Sequence, residues 1–153
     1  MSVTARLAEL GIELPPVAAP VAAYVPAVVD GDRVWTSGQL PFVDGALPAT
    51  GKVGDGEGLV PPQDAAALAR ICALNALAAL GSVVDLDRVE RIVKVVAFVA
   101  SDPGFTGQPA VANGASALLG EVFGVPHARS AVGVAVLPLD APVEVEVVAR
   151  LRD

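Results

Sequence analysis

The sequence is short of the residues that most metal, redox and nucleophilic sites require. Its 153 residues include one cysteine and one histidine, too few for the usual zinc ligand sets, and the carboxylates do not cluster as in calcium or magnesium loops. No GxSxG motif, dinucleotide fingerprint or paired His and Cys is present. The stretch GKVGDGEG lacks the Gly-Lys-Ser/Thr ending of a phosphate-binding loop, which indicates an ordinary loop. We therefore expect neither a metal nor a cofactor.

Basic residues and long apolar runs are also scarce. Ten Lys and Arg stand against 17 Asp and Glu, a formal net charge of −7, whereas binding to a phosphate backbone depends on clustered cations. This balance argues against a nucleic acid as partner. Arg70 and Asn75 interrupt the best candidate for a membrane helix. The opening MSVTARLAEL lacks the apolar core of a secretory signal, which predicts a soluble cytoplasmic protein without a membrane partner.

Apolar residues, in contrast, are in excess. They make up 54% of the chain, against 18% charged residues. The length predicts a single domain over residues 1–153 with one core, in which residues 1–20 are an N-terminal extension with a short helix. We expect part of the apolar surplus to lie in a subunit interface, because exposed apolar patches usually mark contacts.

Hydrophobic periodicity and turn residues predict an α+β order of elements. The predicted helices cover residues 4–10, 64–80 and 109–123. The predicted strands cover residues 24–29, 33–37, 92–99, 130–137 and 143–147, and a long Gly- and Pro-rich loop covers residues 44–62. A crossover helix between the third and fourth strands makes them parallel, which predicts a mixed sheet with two helices on one face.

The candidate chemistry lies in residues 126–149, PHARSAVGVAVLPLDAPVEVEVVA. Arg129 keeps its charge in a protein, and its planar fork suits a carboxylate. The Val-rich, charge-free run over residues 130–137 is typical of a strand buried on both faces. Glu144 and Glu146 alternate with valines and share one face about 7 Å apart. Near an arginine-bound substrate, either glutamate is able to hold a water molecule and take its proton.

Each candidate also has a plain structural interpretation. Arg129 also suits a solvated strand edge, the commoner place for a single arginine, and Glu144 and Glu146 suit the outward face of an alternating strand. His127 is either an assisting acid or base or a packing residue. Cys72 lies on the apolar face of a predicted helix and is expected to be a buried small hydrophobe rather than a nucleophile.

Two further features concern pocket walls. Tyr24 and Trp35, the only Tyr and Trp, lie in β-rich runs where aromatic residues serve as core, although either also suits the wall of a pocket. Gly38 stands at the end of a predicted strand, beside Ser37, and exposes bare backbone that a ligand can approach closely.

Three stretches share their pattern with one known family. HARSAVGVAVLPLDAPVEVE, residues 127–146, combines an Arg, a Val-rich strand, a Leu-Pro turn and alternating Val and Glu. TSGQLP, residues 36–41, contains a Ser-Gly-Gln motif, and ARICALNALAAL, residues 69–80, is an Ala- and Leu-rich helix. Together they resemble the RidA family, also called YjgF or reactive intermediate deaminase. The resemblance spans nearly the whole chain.

The resemblance implies a chorismate-mutase-like α+β fold in a homotrimer, with the helices outside and three clefts between subunits. It implies hydrolysis of 2-imino or enamine acids to 2-oxo acids and ammonia without a cofactor, as by a 2-iminobutanoate/2-iminopropanoate deaminase. Arg129 matches the arginine that grips the substrate carboxylate, and Glu144 matches the glutamate that positions the attacking water. Ala131 stands where many members have a cysteine. The other matching pocket positions are Tyr24, Ser37, Gly38 and Asn113.

Two other classes of function stay open at this point. A non-catalytic trimer that binds 2-oxo acids or other small carboxylates would keep Arg129 but release no ammonia. A ribonuclease activity is attached to some relatives, and the acidic composition argues against it.

Overall fold

The computed structural model describes residues 1–19 and 23–153, which form one mixed sheet with helices on one side. The helices are α1 (Val3–Glu9), α2 (Pro62–Gly81) and α3 (Gln108–Phe123). The strands are β1 (Ala27–Asp30), β2 (Arg33–Thr36), β3 (Val89–Ala100), β4 (Ala128–Val134) and β5 (Val143–Leu151), in the order β1-β2-β5-β3-β4. β3 and β4 run parallel and the other neighbours antiparallel, so the predicted α+β class and crossover are confirmed. Residue 20 of the predicted extension lies outside the described residues.

Helix α2 is the core helix of the fold. Pro62 occupies its first turn, where a backbone N–H has no acceptor within the helix, so proline costs no helical hydrogen bond. Cys72, Leu77 and Leu80 are fully buried, and the prediction that Cys72 is a buried hydrophobe is confirmed. By length and composition α2 is apolar enough to cross a membrane, but 61% of the relevant window is buried inside the protein. Core packing therefore explains its apolar character.

Helices α2 and α3 approach each other closely at Gly114. A Cβ atom on Gly114 would lie 1.8 Å from the carbonyl oxygen of Ala66 on α2. That oxygen belongs to the backbone, so it cannot move aside unless the helix shifts. The absence of a side chain at Gly114 is thus what allows the two helices to pack at this distance.

Gly114→Ala is expected to destabilise the protein by about 1 to 3 kcal/mol, the usual effect of overpacking, despite the better helix propensity of alanine. Gly120→Ala on the same helix is the matched control, because a Cβ atom there meets nothing within 4 Å. The control should stabilise the protein by about 0.5 to 1 kcal/mol. Urea unfolding at one protein concentration measures both free energies, and equal midpoints would contradict the packing argument.

Strand β5 separates the two faces of the sheet. Val143, Val145 and Val147 are buried beneath the helices, while Glu144 and Glu146 are half-buried and point to the other side. The alternation predicted from the sequence is confirmed. We call the side opposite to the helices the open face. Its apolar side chains, identified by strand register, include Val28, Trp35, Val96, Phe98, Val132 and Val148.

None of the described residues covers the open face. Trp35 is 52% exposed, and its neighbour on the strand, Val34, is fully buried on the helix side. Tyr24 precedes β1 and is 44% exposed. The prediction that these two aromatic residues belong to the core is therefore wrong for this chain, because strand alternation directs Trp35 away from the helices and Tyr24 is not in a strand.

The first hairpin is shorter than predicted. β1 begins at Ala27 rather than Tyr24, and β2 ends one residue before Ser37. Pro26 has no N–H for the strand ladder, and its carbonyl accepts the N–H of Ser37 at 2.8 Å. The ladder therefore starts only after Pro26. The long loop predicted after the hairpin is present and contains only isolated bridges.

Strand β4 lies at an edge of the sheet, and the prediction of a strand buried on both faces is wrong. It covers residues 128–134, pairs with β3 alone, and all its residues are half-buried or exposed. Residues 135–137 lie beyond it, and Val136 is 67% exposed. A Val-rich, charge-free run identifies a strand, but it does not distinguish a central strand from an edge.

Candidate active site

Arg129 lies near the start of β4, on the side of the sheet covered by α3. Its Nη1 donates to Oδ1 of Asn113 at 2.7 Å and to Oγ of Ser116 at 3.3 Å. Asn113 and Ser116 are three residues apart on α3, so helical spacing places both beside β4. Ala131 follows two residues after Arg129 and is partly buried against the core. The structure thus brings together three positions that the sequence predicts for one site.

The guanidinium of Arg129 is held at one nitrogen. Nη1 carries two hydrogens, and both Asn113 and Ser116 accept from this nitrogen. Within residues 1–19 and 23–153, no group accepts from Nε or Nη2. Those two nitrogens present parallel N–H bonds along one edge, which is the arrangement that binds a carboxylate through two hydrogen bonds. Helix α3 therefore orients the guanidinium without occupying the edge that an anion needs.

Ser116 also contacts His127, whose Nε2 lies 2.9 Å from the serine Oγ. Burial, and secondly the positive charge of Arg129, lower the pKa of His127 below its usual value. The imidazole is therefore held more firmly in its neutral form than an exposed histidine. Sequence reasoning missed Ser116, although its spacing from Asn113 on a predicted helix was a usable signal.

A second group of predicted residues meets where the chain leaves β2 and passes β5. Gln39 and Val145 exchange backbone hydrogen bonds of 2.8 and 3.0 Å. This pairing brings Gly38 against Glu144, since a Cβ atom on Gly38 would lie 1.8 Å from the Glu144 Oε1. Gly38 therefore leaves the space that the carboxylate occupies.

Ser37 and Tyr24 border the same place. The hydroxyl of Ser37 donates to the carbonyl of Val25 at 2.6 Å, which ties the segment before β1 to the end of β2. Tyr24 and Gly38 line one small cavity. Three of the predicted positions, Tyr24, Ser37 and Gly38, thus lie together, and Gly38 lies against the Glu144 carboxylate.

The two groups lie on opposite faces of the sheet. Arg129 pairs across the strands with Val95, which is fully buried on the helix side, whereas Glu144 pairs with Phe98 on the open face. No hydrogen bond or ion pair joins Arg129 to Glu144 in the part of the chain that the structure describes. We call the first group the arginine cluster and the second the glutamate cluster. The arginine cluster is Asn113, Ser116, His127, Arg129 and Ala131; the glutamate cluster is Tyr24, Ser37, Gly38 and Glu144.

Comparison with known proteins identifies the family. The family model described as endoribonuclease L-PSP matches residues 16–151. The chain belongs to the endoribonuclease L-PSP family. This is the YjgF/RidA family, so the resemblance found in the sequence is confirmed.

Several relatives share nearly the full length of this L-PSP family member. Protein TCP17 from Trypanosoma cruzi is 48% identical over 158 residues, which cover 99% of this chain and 95% of TCP17. The crystal structure of Atu1372 from Agrobacterium tumefaciens is 40% identical, with a TM-score of 0.86 over 98% of this chain and 92% of that one. The crystal structure of E. coli TdcF with bound serine is 27% identical, with a TM-score of 0.66 over 90% of this chain and 94% of that one.

In this L-PSP family chain, Glu144 has an environment that favours its protonated form. Half-burial, and secondly the charge of Glu146 on the same face, raise the pKa of Glu144 above its usual value. A carboxylate with a raised pKa takes up a proton more readily than an exposed one, as a general base must.

Glu146→Gln is expected to lower the pKa of Glu144. The like charge of Glu146 disfavours ionisation of Glu144, so its removal makes the Glu144 carboxylate easier to form. A carbon-13 NMR titration of the glutamate carboxyl groups, with Glu144→Gln used for assignment, measures the shift. A Glu144 titration that stays in place would contradict coupling between the two side chains.

Among the described residues of this L-PSP family chain, no group of three or more His, Cys, Asp or Glu side chains is placed to hold a metal ion.

Cys72 is buried on α2 and belongs to neither cluster. Burial, and secondly the charge of Glu144, raise the pKa of its thiol well above the usual value. A buried thiol of this kind is a poor nucleophile.

Proposed function

We propose that this protein hydrolyses 2-imino acids to 2-oxo acids and ammonia in a homotrimer whose sites lie between subunits. The observation that carries the proposal is the Arg129 guanidinium, which is held at Nη1 while its Nε and Nη2 edge is free for a carboxylate. A 2-imino acid bears its carboxylate beside the C=N carbon. Binding at Arg129 therefore fixes the position of the carbon that reacts.

In this mechanism Glu144 acts as the general base. It accepts a proton from a water molecule as the water oxygen bonds to the imine carbon, which gives a carbinolamine. Glu144 gives this proton to the nitrogen as the carbinolamine forms, and it then transfers the proton of the carbinolamine hydroxyl to the same nitrogen. The carbon–nitrogen bond breaks, and ammonia leaves as the oxo group forms. Water supplies all the atoms that the product gains, so the reaction balances without an oxidant or reductant.

The relative TdcF supports a ligand of this class, because its crystal structure contains bound serine. Serine and a 2-imino acid both carry a carboxylate on the carbon that bears nitrogen. Ala131 places a small side chain without a thiol two residues from Arg129. We propose 2-iminopropanoate and 2-iminobutanoate as the substrates to test first. We also propose that the protein acts in the cytoplasm.

The proposal requires more than one copy of the chain. Because the two clusters lie on opposite faces of one sheet, a complete site needs the arginine cluster of one protomer and the glutamate cluster of another. The apolar open face, with Val28, Trp35 and Val132 at 53%, 52% and 42% exposed, supports an interface. A cyclic trimer has three equivalent sites.

Sedimentation equilibrium is expected to give three times the chain mass of 15.4 kDa. Trp35→Asp places a charge on the open face and should reduce the mass to one chain and abolish hydrolysis together. Val83→Asp is the matched control, because Val83 is an exposed valine in the turn after α2, away from the sheet. A wild-type mass of one chain at micromolar concentration would rule out a site between subunits.

The activity itself is tested on imino acids formed in place by an amino-acid oxidase. We expect the imino acid to decay to the 2-oxo acid and ammonia faster when the protein is present, for at least one amino-acid parent. Equal decay with and without the protein over several parents would leave the non-catalytic binding function.

The family name also raises RNA cleavage as an activity. The net charge of −7 disfavours binding to a phosphate backbone. Incubation of the purified protein with RNA over a salt series is expected to show no cleavage.

A further inference from the structure

We propose that Ser116 and His127 are positioning residues, which hold Arg129 for the carboxylate and make the anion affinity of the arginine cluster depend on pH. The inference rests on the proposed anion-binding role of Arg129. Both residues act through it: Ser116 contacts Nη1 of Arg129 at 3.3 Å, and His127 contacts Ser116 at 2.9 Å.

The direction of these hydrogen bonds follows from donor chemistry. A guanidinium only donates, so Ser116 Oγ accepts from Arg129. The serine O–H is then free to donate, and Nε2 of a neutral His127 is within reach. The result is a one-way chain from Arg129 through Ser116 to His127, in which each bond polarises the next.

Two contacts at one nitrogen fix the plane of the guanidinium. Asn113 alone would leave the guanidinium free to turn about its contact with Oδ1. A second acceptor at Ser116 defines the direction in which the edge with Nε and Nη2 points. The loss of Ser116 should therefore weaken carboxylate binding although neither Ser116 nor His127 is placed on that edge.

Protonation of His127 adds a second positive charge near the anion. Nε2 of the protonated ring then donates to Ser116 Oγ, which accepts from both His127 and Arg129. The charged groups around it in the described chain are Arg129 on β4 and Arg91 on β3, whose guanidinium donates to the carbonyl of Pro126 at 2.6 Å. The facing residues of α3 are uncharged. A bound carboxylate offsets the charge of Arg129 and so raises the pKa of His127, which by linkage means that acidification tightens anion binding.

The network is first tested without ligand. His127 is the only histidine, so its imidazole NMR signals titrate without overlap. Arg129→Gln should raise the pKa of His127, and Ser116→Ala should change its nitrogen-15 shifts. The control is Ser82→Ala, which removes a hydroxyl bonded to the Ala79 carbonyl at the end of α2 and should change neither. An identical His127 titration in wild type, Arg129→Gln and Ser116→Ala would overturn the network.

Pyruvate binding is then measured by calorimetry from about pH 5 to 8, where histidine titrates. Glu144→Gln serves as the background, so that protonation of Glu144 makes no contribution. We expect Kd to fall as the pH falls, and His127→Asn to remove this dependence. Ser116→Ala should raise Kd about 3- to 10-fold, the net effect of an ordinary hydrogen bond, because Ser116 acts on the carboxylate only through Arg129. Ser116→Thr should restore the affinity.

The outcomes separate this inference from the proposed function. If the protein binds no pyruvate, the proposed anion site is wrong, whatever the ligand-free titration gives. If it binds pyruvate with a Kd that neither pH nor Ser116→Ala changes, the anion site stands and the positioning role of Ser116 and His127 is overturned.

Discussion

Glu144→Gln is expected to lower kcat for imino acid hydrolysis by about 10²- to 10⁴-fold, the usual contribution of a positioned general base. Glutamine keeps the size of the side chain beside Gly38, but its amide does not take the proton of the attacking water. In the proposed mechanism the carboxylate of the substrate binds at Arg129, in the other cluster. The affinity for a 2-oxo acid should therefore change far less than kcat.

Glu146→Gln is the matched control for this loss. It removes a second carboxylate from the open face of β5, two residues away. At a pH where kcat no longer changes with pH, kcat should stay near the wild-type value. Equal losses in the two variants would indicate that the charge of the face, rather than a base, supports the rate. Full activity in Glu144→Gln would show that another group activates the water.

Thermal unfolding tests whether the loss of kcat in Glu144→Gln comes from a less stable protein. Because the native state raises the pKa of Glu144 above its usual value, it binds that proton more tightly than the unfolded chain does. The stability contributed by the protonated group is thus lost as the pH rises through the raised pKa. Glutamine does not ionise, so the Tm of Glu144→Gln relative to wild type should increase over the same range.

The sheet could be predicted where local pattern determines it. The alternation of Glu144 and Glu146 with valines has a period of two, which assigns each side chain of β5 to a face before any partner strand is known. The parallel pairing of β3 and β4 follows from the crossover helix between them. Both predictions depend on residues that are close in sequence.

Burial by distant parts of the chain could not be predicted in the same way. An apolar residue avoids water, but its identity does not say which element covers it. The Val-rich β4 therefore suggested a central strand, and Trp35 suggested core, whereas the structure leaves both at the surface of the chain.

The candidate site shows the same limit. Arg129 and Glu144 are 15 positions apart in the sequence, which favoured one shared pocket. In the sheet, β3 lies between β4 and β5, and alternation then points the two side chains to opposite faces. Ser116 was missed because a lone serine has no chemistry of its own, and its relation to Asn113 is visible only as helical spacing.

Arg129→Lys is expected to lower kcat/KM and carboxylate affinity by about 10- to 150-fold, or about 1.5 to 3 kcal/mol, the scale of a lost hydrogen bond to a charged group. The charge is retained, so the loss measures geometry. A lysine ammonium has three hydrogens on one nitrogen. If two of them keep the contacts with Asn113 and Ser116, one remains, and two parallel bonds to a carboxylate cannot form.

Arg70→Lys is the matched control, because Arg70 is an exposed guanidinium on α2. It should leave pyruvate affinity and hydrolysis unchanged. Both variants should stay within about 0.5 kcal/mol of wild type in the free energy of unfolding, because each retains its charge at the protein surface. Calorimetry with pyruvate, the imino acid assay and urea unfolding measure the three quantities.

The same variant separates a carboxylate clamp from a solvated residue at the edge of β4. A solvated cation is replaceable by lysine, with ligand affinity within about 0.5 kcal/mol of wild type. A carboxylate clamp is not replaceable by lysine, because its strength depends on two N–H bonds that point the same way. An unchanged 2-oxo acid affinity in Arg129→Lys would therefore end the assignment of Arg129, and with it the arginine cluster, since Asn113 and Ser116 contribute there by orienting that guanidinium.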